Sequence, residues 1–182
     1  MREIVLRRIS WQVLFGVISL GIGIGMVVAI WRVTSVNGFR MGWQGIPVYL
    51  ALVGFIGRIA NCKIVLRDEV LVVVNPLQIH VIPKSAIRDI FVDDGGTLGV
   101  GIGEEQEISV FAFAGSLIDH FRGTSDKAER RINRWLSSGG VASETEATPQ
   151  VTWTRCLPAD LSLAFCVAIT GIGLIGMAIT SG

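Results

Sequence analysis

The sequence predicts an α+β membrane protein, in which a transmembrane helical hairpin precedes a small antiparallel β-domain and a third transmembrane helix follows it. The 182 residues are 51% hydrophobic and 17% charged, with a mean hydropathy of +0.58, which is too apolar for an ordinary soluble domain. Three stretches are long and almost free of charge, and between the second and third the pattern changes to short runs of β-branched residues. The predicted organisation is a cytoplasmic N-terminus at 1–10, the hairpin at 11–60, the β-domain at 61–137, a linker at 138–158, and the third transmembrane helix with a short C-terminus at 159–182.

The first apolar stretch, residues 11–31, carries no charge. At about 1.5 Å per residue, a helix of this length crosses a hydrocarbon core of roughly 30 Å. Trp11 and Trp31 bracket it, as expected for side chains at the two membrane interfaces. A signal peptide is the alternative because the chain starts with basic residues, but the stretch is too long and lacks a small-x-small cleavage site.

The second apolar stretch, residues 43–60, contains Pro47 and Arg58, each near an end where a helix tolerates it best. Only about ten residues separate it from the first stretch, so the two are predicted to form a helical hairpin. A buried helix of a soluble protein is the alternative.

The third stretch, residues 159–180, has Asp160 in its first turn, where the helix dipole favours a carboxylate. It contains GIGLIG at 171–176, which matches the G-x-G-x-x-G pattern of dinucleotide loops. Because that loop needs a preceding strand and a polar turn, a match in the middle of an apolar helix predicts no nucleotide binding. These glycines, like the G-x-x-x-G of Gly21 and Gly25, are instead expected to pack helices within the chain or between copies, which leaves a homo-oligomer open.

The basic residues that flank the first two stretches predict orientation. By the positive-inside rule they place the N-terminus and the β-domain in the cytoplasm and the C-terminus outside, in a multi-pass protein of the plasma membrane. Arg32 and Arg40 in the connecting loop weaken this bias without reversing it. The cytoplasmic group comprises Arg2, Arg7, Arg8, Arg58, Lys63 and Arg67.

The β-domain is predicted from the runs KIVL, VLVVV, QIHVI, IRDIFV, TLGVGI and EISVFAF, which turn residues separate. Their even spacing indicates an antiparallel meander that closes into a small barrel or an orthogonal sandwich. One helix follows, with Ser125 as its cap and Ala128 and Ile132 on an apolar face toward the sheet. The small, polar residues after it predict a flexible linker.

The segment NCKIVLRDEVLVVVNPLQIHVIPKSAIRDIFV has an Asn-Pro turn after the second strand and a proline after the third, and ISVFAF precedes the helix. With these features the chain resembles the membrane-anchored bacterial pleckstrin-homology (PH) domain proteins, in particular the actinobacterial type related to the low-molecular-weight antigen PH domain. The resemblance implies a PH-like small antiparallel β-barrel with a C-terminal amphipathic helix, held at the membrane as a cytoplasmic module without catalytic activity. It supplies no site residues.

The sequence contains no recognisable catalytic, cofactor or metal constellation. His80 and His120 lack carboxylate or cysteine neighbours at metal-ligand spacing, and Cys62, Cys156 and Cys166 are expected to be free thiols. The acidic pairs at 93–94 and 104–105 lie in predicted hairpin turns, where acids cap backbone. We therefore predict no enzyme, cofactor or metal, and a net charge of +1 gives no indication of nucleic acid binding.

The one functional surface that the sequence suggests is the basic side of the last helix of the β-domain. These side chains follow helical spacing next to an anionic leaflet, but a merely solvated face is the alternative, since residues 61–136 hold more acidic than basic residues. The four residues are Lys127, Arg130, Arg131 and Arg134.

The leading functional hypothesis is a non-enzymatic scaffold or adaptor that presents a cytoplasmic β-domain to an unknown protein or peptide partner. One alternative is a domain that senses anionic lipid through the basic residues of its helix. The other is a small transporter or membrane enzyme, which needs ionisable groups inside the spans. Only Arg58 and Asp160 qualify, and both lie near helix ends.

Overall fold

The computed structural model describes residues 3–7, 9–103, 106–113, 124–138 and 149–180, and it has a mixed α+β architecture. The chain divides into two compact units. The β-domain combines Met1–Arg8 with Asn61–Thr154, and the helix unit combines Ile9–Ala60 with Arg155–Gly182. The β-domain is therefore assembled from stretches of chain that apolar helices separate.

Eight strands form two antiparallel sheets among the described residues. Sheet A has the order β1-β2-β3-β4-β8 and sheet B the order β5-β6-β7. The strands are β1 (Ile4–Leu6), β2 (Lys63–Leu66), β3 (Val70–Val74), β4 (Gln78–Pro83), β5 (Ile87–Val92), β6 (Leu98–Ile102), β7 (Gln106–Ser109) and β8 (Gln150–Trp153).

The strands do not close into the expected barrel within the part of the chain that the structure describes. Pro83 ends β4 and has no N–H to continue a ladder, and a short 3-10 helix, Lys84–Ala86, leads into β5. The β5–β6 register then shifts between Ile87 and Asp89. This break passes the chain from sheet A to sheet B, and for that reason the meander gives two sheets.

The two outer strands of sheet A lie in segments for which the sequence predicted no strand. β1 belongs to the predicted N-terminus at 1–10, and β8 belongs to the predicted linker at 138–158, of which 139–148 lie outside the described residues. β1 pairs with β2, and β8 pairs with β4. β1 has only three residues, and β8 adjoins the small, polar sequence from which a linker was predicted, so neither carries a clear strand pattern. Their pairing depends on edges that distant residues supply.

The core of the β-domain lies on the inward faces of both sheets and under one helix, α4 (Thr124–Ser137), which packs against β5. Alternation along the strands produces this core because successive side chains point to opposite faces. The fully buried side chains include Ile64, Leu66, Leu71, Val73, Ile82, Leu98, Val100, Val110 and Ile132.

The helix unit contains α1 (Ile9–Asn37), a short α2 (Phe39–Gly42), α3 (Gly45–Ala60) and α5 (Leu157–Thr180). Three stretches of helix, Ser10–Asn37, Phe39–Ala60 and Leu157–Ile179, are long and apolar enough to cross a membrane. Gly38 ends α1 with φ of 78°, a left-handed conformation that glycine adopts without steric cost. The three predicted apolar stretches are therefore helical, and α1 packs against α3.

Contacts inside the helix unit show that its long helices alternate in direction. The Gln12 side chain, at the start of α1, donates to the Ala60 carbonyl at the end of α3 (3.5 Å). Arg58 near the end of α3 meets Asp160 near the start of α5. The start of α1, the end of α3 and the start of α5 thus lie at one end of the unit, and each is next in sequence to a strand of sheet A.

Candidate functional site

The four basic residues predicted as a contact surface all have exposed side chains on α4. We call Lys127, Arg130, Arg131 and Arg134 the basic face. Their spacing puts them on one side of the helix, opposite Ile132, which is fully buried. None forms an ion pair with a carboxylate of the described residues. The four positive charges are therefore open to an anionic ligand.

Hydrogen bonds at both ends of α4 fix the orientation of the basic face. The helix begins at Thr124, so Ser125 lies inside it and is not the predicted cap. The Ser125 hydroxyl instead donates to the Gly96 carbonyl in the β5–β6 turn (2.8 Å). Near the other end, the Trp135 indole N–H donates to the Arg67 carbonyl (3.0 Å). Lys84 Nζ donates to the Trp135 carbonyl (2.8 Å) and lies 4.9 Å from the centre of its ring. These anchors hold the helix without using the four basic side chains.

The second surface surrounds the turn between β3 and β4 and centres on Asn75. The Asn75 side chain donates to the Ser109 carbonyl (3.0 Å) and accepts from the Phe111 N–H (2.9 Å), so it joins the turn to the end of sheet B. The Asn75 carbonyl accepts from the Thr154 hydroxyl (2.7 Å), and the Thr154 N–H donates to the Leu77 carbonyl (3.0 Å). One asparagine therefore connects three distant parts of the chain.

Large apolar side chains are exposed around this turn, where the sequence suggested no site. Leu77 follows Asn75 by two residues, Trp153 is the cross-strand partner of Gln78, and Phe111 is hydrogen-bonded to Asn75. Their exposed fractions, with that of Val151, range from 40% to 74%. Several exposed apolar side chains near one turn, two of them aromatic, are typical of an interaction surface. We call Leu77, Phe111, Val151 and Trp153 the turn patch.

The helix unit contains an ion pair that the sequence did not predict. Arg58 Nη2 lies 2.6 Å from Asp160 Oδ1, and these side chains are 18% and 36% exposed. The other Asp160 oxygen accepts from the Cys156 N–H (3.1 Å), so the carboxylate also caps the start of α5. Two charges near the ends of separate apolar stretches were the available signal, but only the crossing of α3 and α5 brings them together.

The glycine motif of the third apolar stretch has a packing role at one position. A side chain at Gly173 would overlap the ring of Trp43, whereas Gly171 has no neighbour of this kind within 4 Å. Gly21 and Gly25 likewise have open space where a side chain would begin. Close approach of the turn between α2 and α3, which contains Trp43, to α5 therefore depends on Gly173.

The remaining candidate side chains bring together no metal site in the described part of the chain. Asp93 accepts a hydrogen bond from the Thr97 N–H (2.7 Å), which is the turn-capping role predicted for it. His80 lies in β4 opposite Val73 and Val151, and its Nδ1 atom is buried without a hydrogen-bond partner among the described residues. Burial lowers the pKa of the His80 imidazole below its ordinary value of 6.5. His120 and the acidic pair at 104–105 lie outside the described residues.

No protein-family model, curated protein or solved structure matches the chain. The case for function therefore depends on the surfaces themselves, namely the basic face and the turn patch of the β-domain.

Proposed function

We propose that this protein is a non-enzymatic scaffold or adaptor of the plasma membrane, whose β-domain binds a protein or peptide through the turn patch. The observation that carries the proposal is the exposure of Trp153 (74%), Leu77 (50%) and Phe111 (40%) around one rigid turn. Aromatic side chains on a preorganised surface bind partners at little cost in conformational entropy. Asn75 supplies that rigidity through its bonds to Ser109 and Phe111.

The proposed orientation has the β-domain in the cytoplasm. Its support is the positive-inside pattern together with the common end of the helix unit, at which α1 starts, α3 ends and α5 starts. With three membrane crossings, all segments of the β-domain would lie on one side. Labelling of Cys156, which is only partly buried, in intact and permeabilised cells tests sidedness, and labelling of this thiol from outside intact cells would contradict the proposed orientation.

We also propose that the β-domain has a PH-like fold. Seven strands, β1 to β7, precede the amphipathic helix α4, and this order agrees with the PH arrangement. In this proposal the first strand comes from before the helical hairpin, and β8 is an addition to the arrangement. An experimental structure with a different strand order would reject it.

Site-specific photo-crosslinking in living cells tests the partner hypothesis. A photoreactive residue at Leu77 or Trp153 should form adducts with a distinct protein, whereas one at Asp68, an exposed residue in another turn of sheet A, should not. If neither Leu77 nor Trp153 yields adducts, the turn patch is rejected as a binding surface. It is also rejected if a photoreactive residue at Asp68 yields the same adducts as the patch positions.

The second candidate function is the sensing of anionic lipid, which the four exposed cations of the basic face favour. The test compares the full chain in nanodiscs of phosphatidylcholine with and without phosphatidylglycerol, by hydrogen exchange of residues 124–138. Anionic lipid should protect α4 at low salt, and protection should disappear in 0.5 M salt or after substitution of the four basic residues by glutamine. Asp126→Asn with Glu129→Gln on the same helix is the matched control and should retain protection. Protection that does not depend on lipid charge would exclude this function.

A further inference from the structure

β8 is the least embedded strand of sheet A. All four of its side chains are exposed, including Trp153 at 74% and Val151 at 56%. By contrast β1, at the opposite edge of the same sheet, buries Leu6 in the core although it has only three residues. Main-chain hydrogen bonds to β4 therefore hold β8, with little contribution from side-chain burial.

The strand has one firm anchor, at its C-terminal end. Thr154 is buried (3% exposed), and both its hydroxyl and its N–H bond to carbonyls of the β3–β4 turn. A strand that is anchored at one end and exposed along its length can peel away from its partner without disrupting the core.

Removal of β8 would leave the outer edge of β4 with unpaired N–H and C=O groups. Such an edge is a template for an added strand. The seat of β8 also defines what would fit, because Val151 and Trp153 lie opposite His80 and Gln78, next to the rest of the turn patch. A β-branched and an aromatic side chain at alternate positions match this edge.

We propose that the outer edge of β4 is a peptide-binding site, which β8 of the same chain covers when no partner is bound. The partner protein contributes an extended segment with alternating β-branched and aromatic residues. This inference rests on the proposed function and specifies its binding mode. The partner strand adds to β4 in place of β8 and lies beside Leu77 and Phe111, the two residues of the turn patch that are outside β8. Binding releases Gln150–Trp153, as far as the anchor at Thr154.

The ladder geometry supplies a matched pair of variants. The bond from the Thr154 N–H to the Leu77 carbonyl marks a hydrogen-bonded pair, so Thr152 opposite Ile79 is the next such pair in an antiparallel ladder. Thr152→Pro removes a donor to β4, whereas the N–H at Val151 points away, where proline is tolerated on an edge strand. Both side chains are exposed, so neither change affects the core.

The probe is a fluorescent synthetic peptide with the sequence PQVTWTR, residues 149–155, added to the purified full chain in detergent. Thr152→Pro should bind it at least tenfold more tightly than the native chain, and Val151→Pro should stay within threefold of native. Equal peptide affinity of all three proteins would overturn the inference. So would a Thr152→Pro protein that keeps the native thermal transition but does not bind the peptide.

A reversible lock tests the same edge without weakening the fold. His80→Cys with Val151→Cys places two thiols at a cross-strand pair without hydrogen bonds, where side chains are closest. Oxidation should lower peptide binding at least tenfold relative to the reduced form, and equal binding in both forms would overturn the inference. The proposed function fails in a different way. If a photoreactive residue at Leu77 of the otherwise native chain forms no adducts in cells, the proposed function is wrong whatever the peptide result. If adducts form and disulfide formation in the His80→Cys, Val151→Cys protein leaves them unchanged, only the edge mechanism is wrong.

Discussion

Arg58 and Asp160 are 102 residues apart in sequence, and their side chains form an ion pair of 2.6 Å between α3 and α5. The pair joins two apolar helices, which also share a hydrogen bond from the Ser162 hydroxyl to the Leu50 carbonyl (2.8 Å). Because the Asp160 carboxylate also caps the start of α5, it fixes the position of that helix start against the end of α3.

The first prediction concerns this ion pair. Arg58→Gln or Asp160→Asn should destabilise the helix unit by about 1–3 kcal/mol, between the value of an exposed pair and that of a fully buried one, because each leaves one partly buried charge unpaired. Thermal unfolding in detergent, followed by size-exclusion chromatography, measures the loss. Arg40→Gln, at an exposed arginine of the same unit, is the control and should behave as the native chain. If Arg58→Gln and Asp160→Asn unfold at the same temperature as the Arg40→Gln control, the ion pair does not stabilise the helix unit.

The second prediction concerns Gly173. Gly173→Ala should lower the stability of the helix unit by about 1–3 kcal/mol, because the added methyl overlaps the Trp43 ring and displaces that ring and its turn from α5. Gly171→Ala introduces the same methyl group into open space and should be neutral or slightly stabilising. The measurement is the thermal midpoint of the full chain in detergent. Equal midpoints for the two variants would show that close helix approach does not depend on Gly173.

The third prediction concerns Asn75. Asn75→Ala removes the hydrogen bonds to the Ser109 carbonyl and from the Phe111 N–H, so it should destabilise the β-domain by about 1–3 kcal/mol. Hydrogen exchange should become faster at the end of β7 and in the β3–β4 turn. Asn133→Ala, at an exposed position of α4, is the matched control and should leave both regions protected. Unchanged exchange after Asn75→Ala would contradict its role as the connection between the sheets.

The fourth prediction is a dependence of stability on pH. The pKa of His80 is lowered in the folded β-domain, so below about pH 6.5 the unfolded chain binds a proton that the folded chain resists. The stability contributed by neutral His80 is present above this pH and is lost as the pH falls toward the lower folded pKa. The native chain should therefore lose more thermal stability than His80→Gln between pH 7.5 and pH 5.5. If thermal stability falls equally with pH in the native chain and in His80→Gln, the His80 imidazole is not buried as described.

The predicted and observed structures agree where a local pattern was long enough to decide. Residues 11–31 and 159–180 are helical, and the runs KIVL and VLVVV are strands, since hydropathy and β-branched composition act within each segment. The apolar side of α4 was equally readable, because Ala128 and Ile132 recur at helical spacing and both are buried. The sequence therefore determined which segments are helix or strand and which faces are apolar.

Tertiary structure decided which of these segments meet. β1 has only three residues and β8 adjoins a small, polar sequence, and the pairing of these strands with β2 and β4 depends on edges formed by residues far away in the chain. The ion pair of Arg58 with Asp160 and the position of Trp43 on Gly173 likewise depend on the crossing of two helices. Long-range pairing is selected by the complementarity of whole surfaces, and no window of neighbouring residues contains that information.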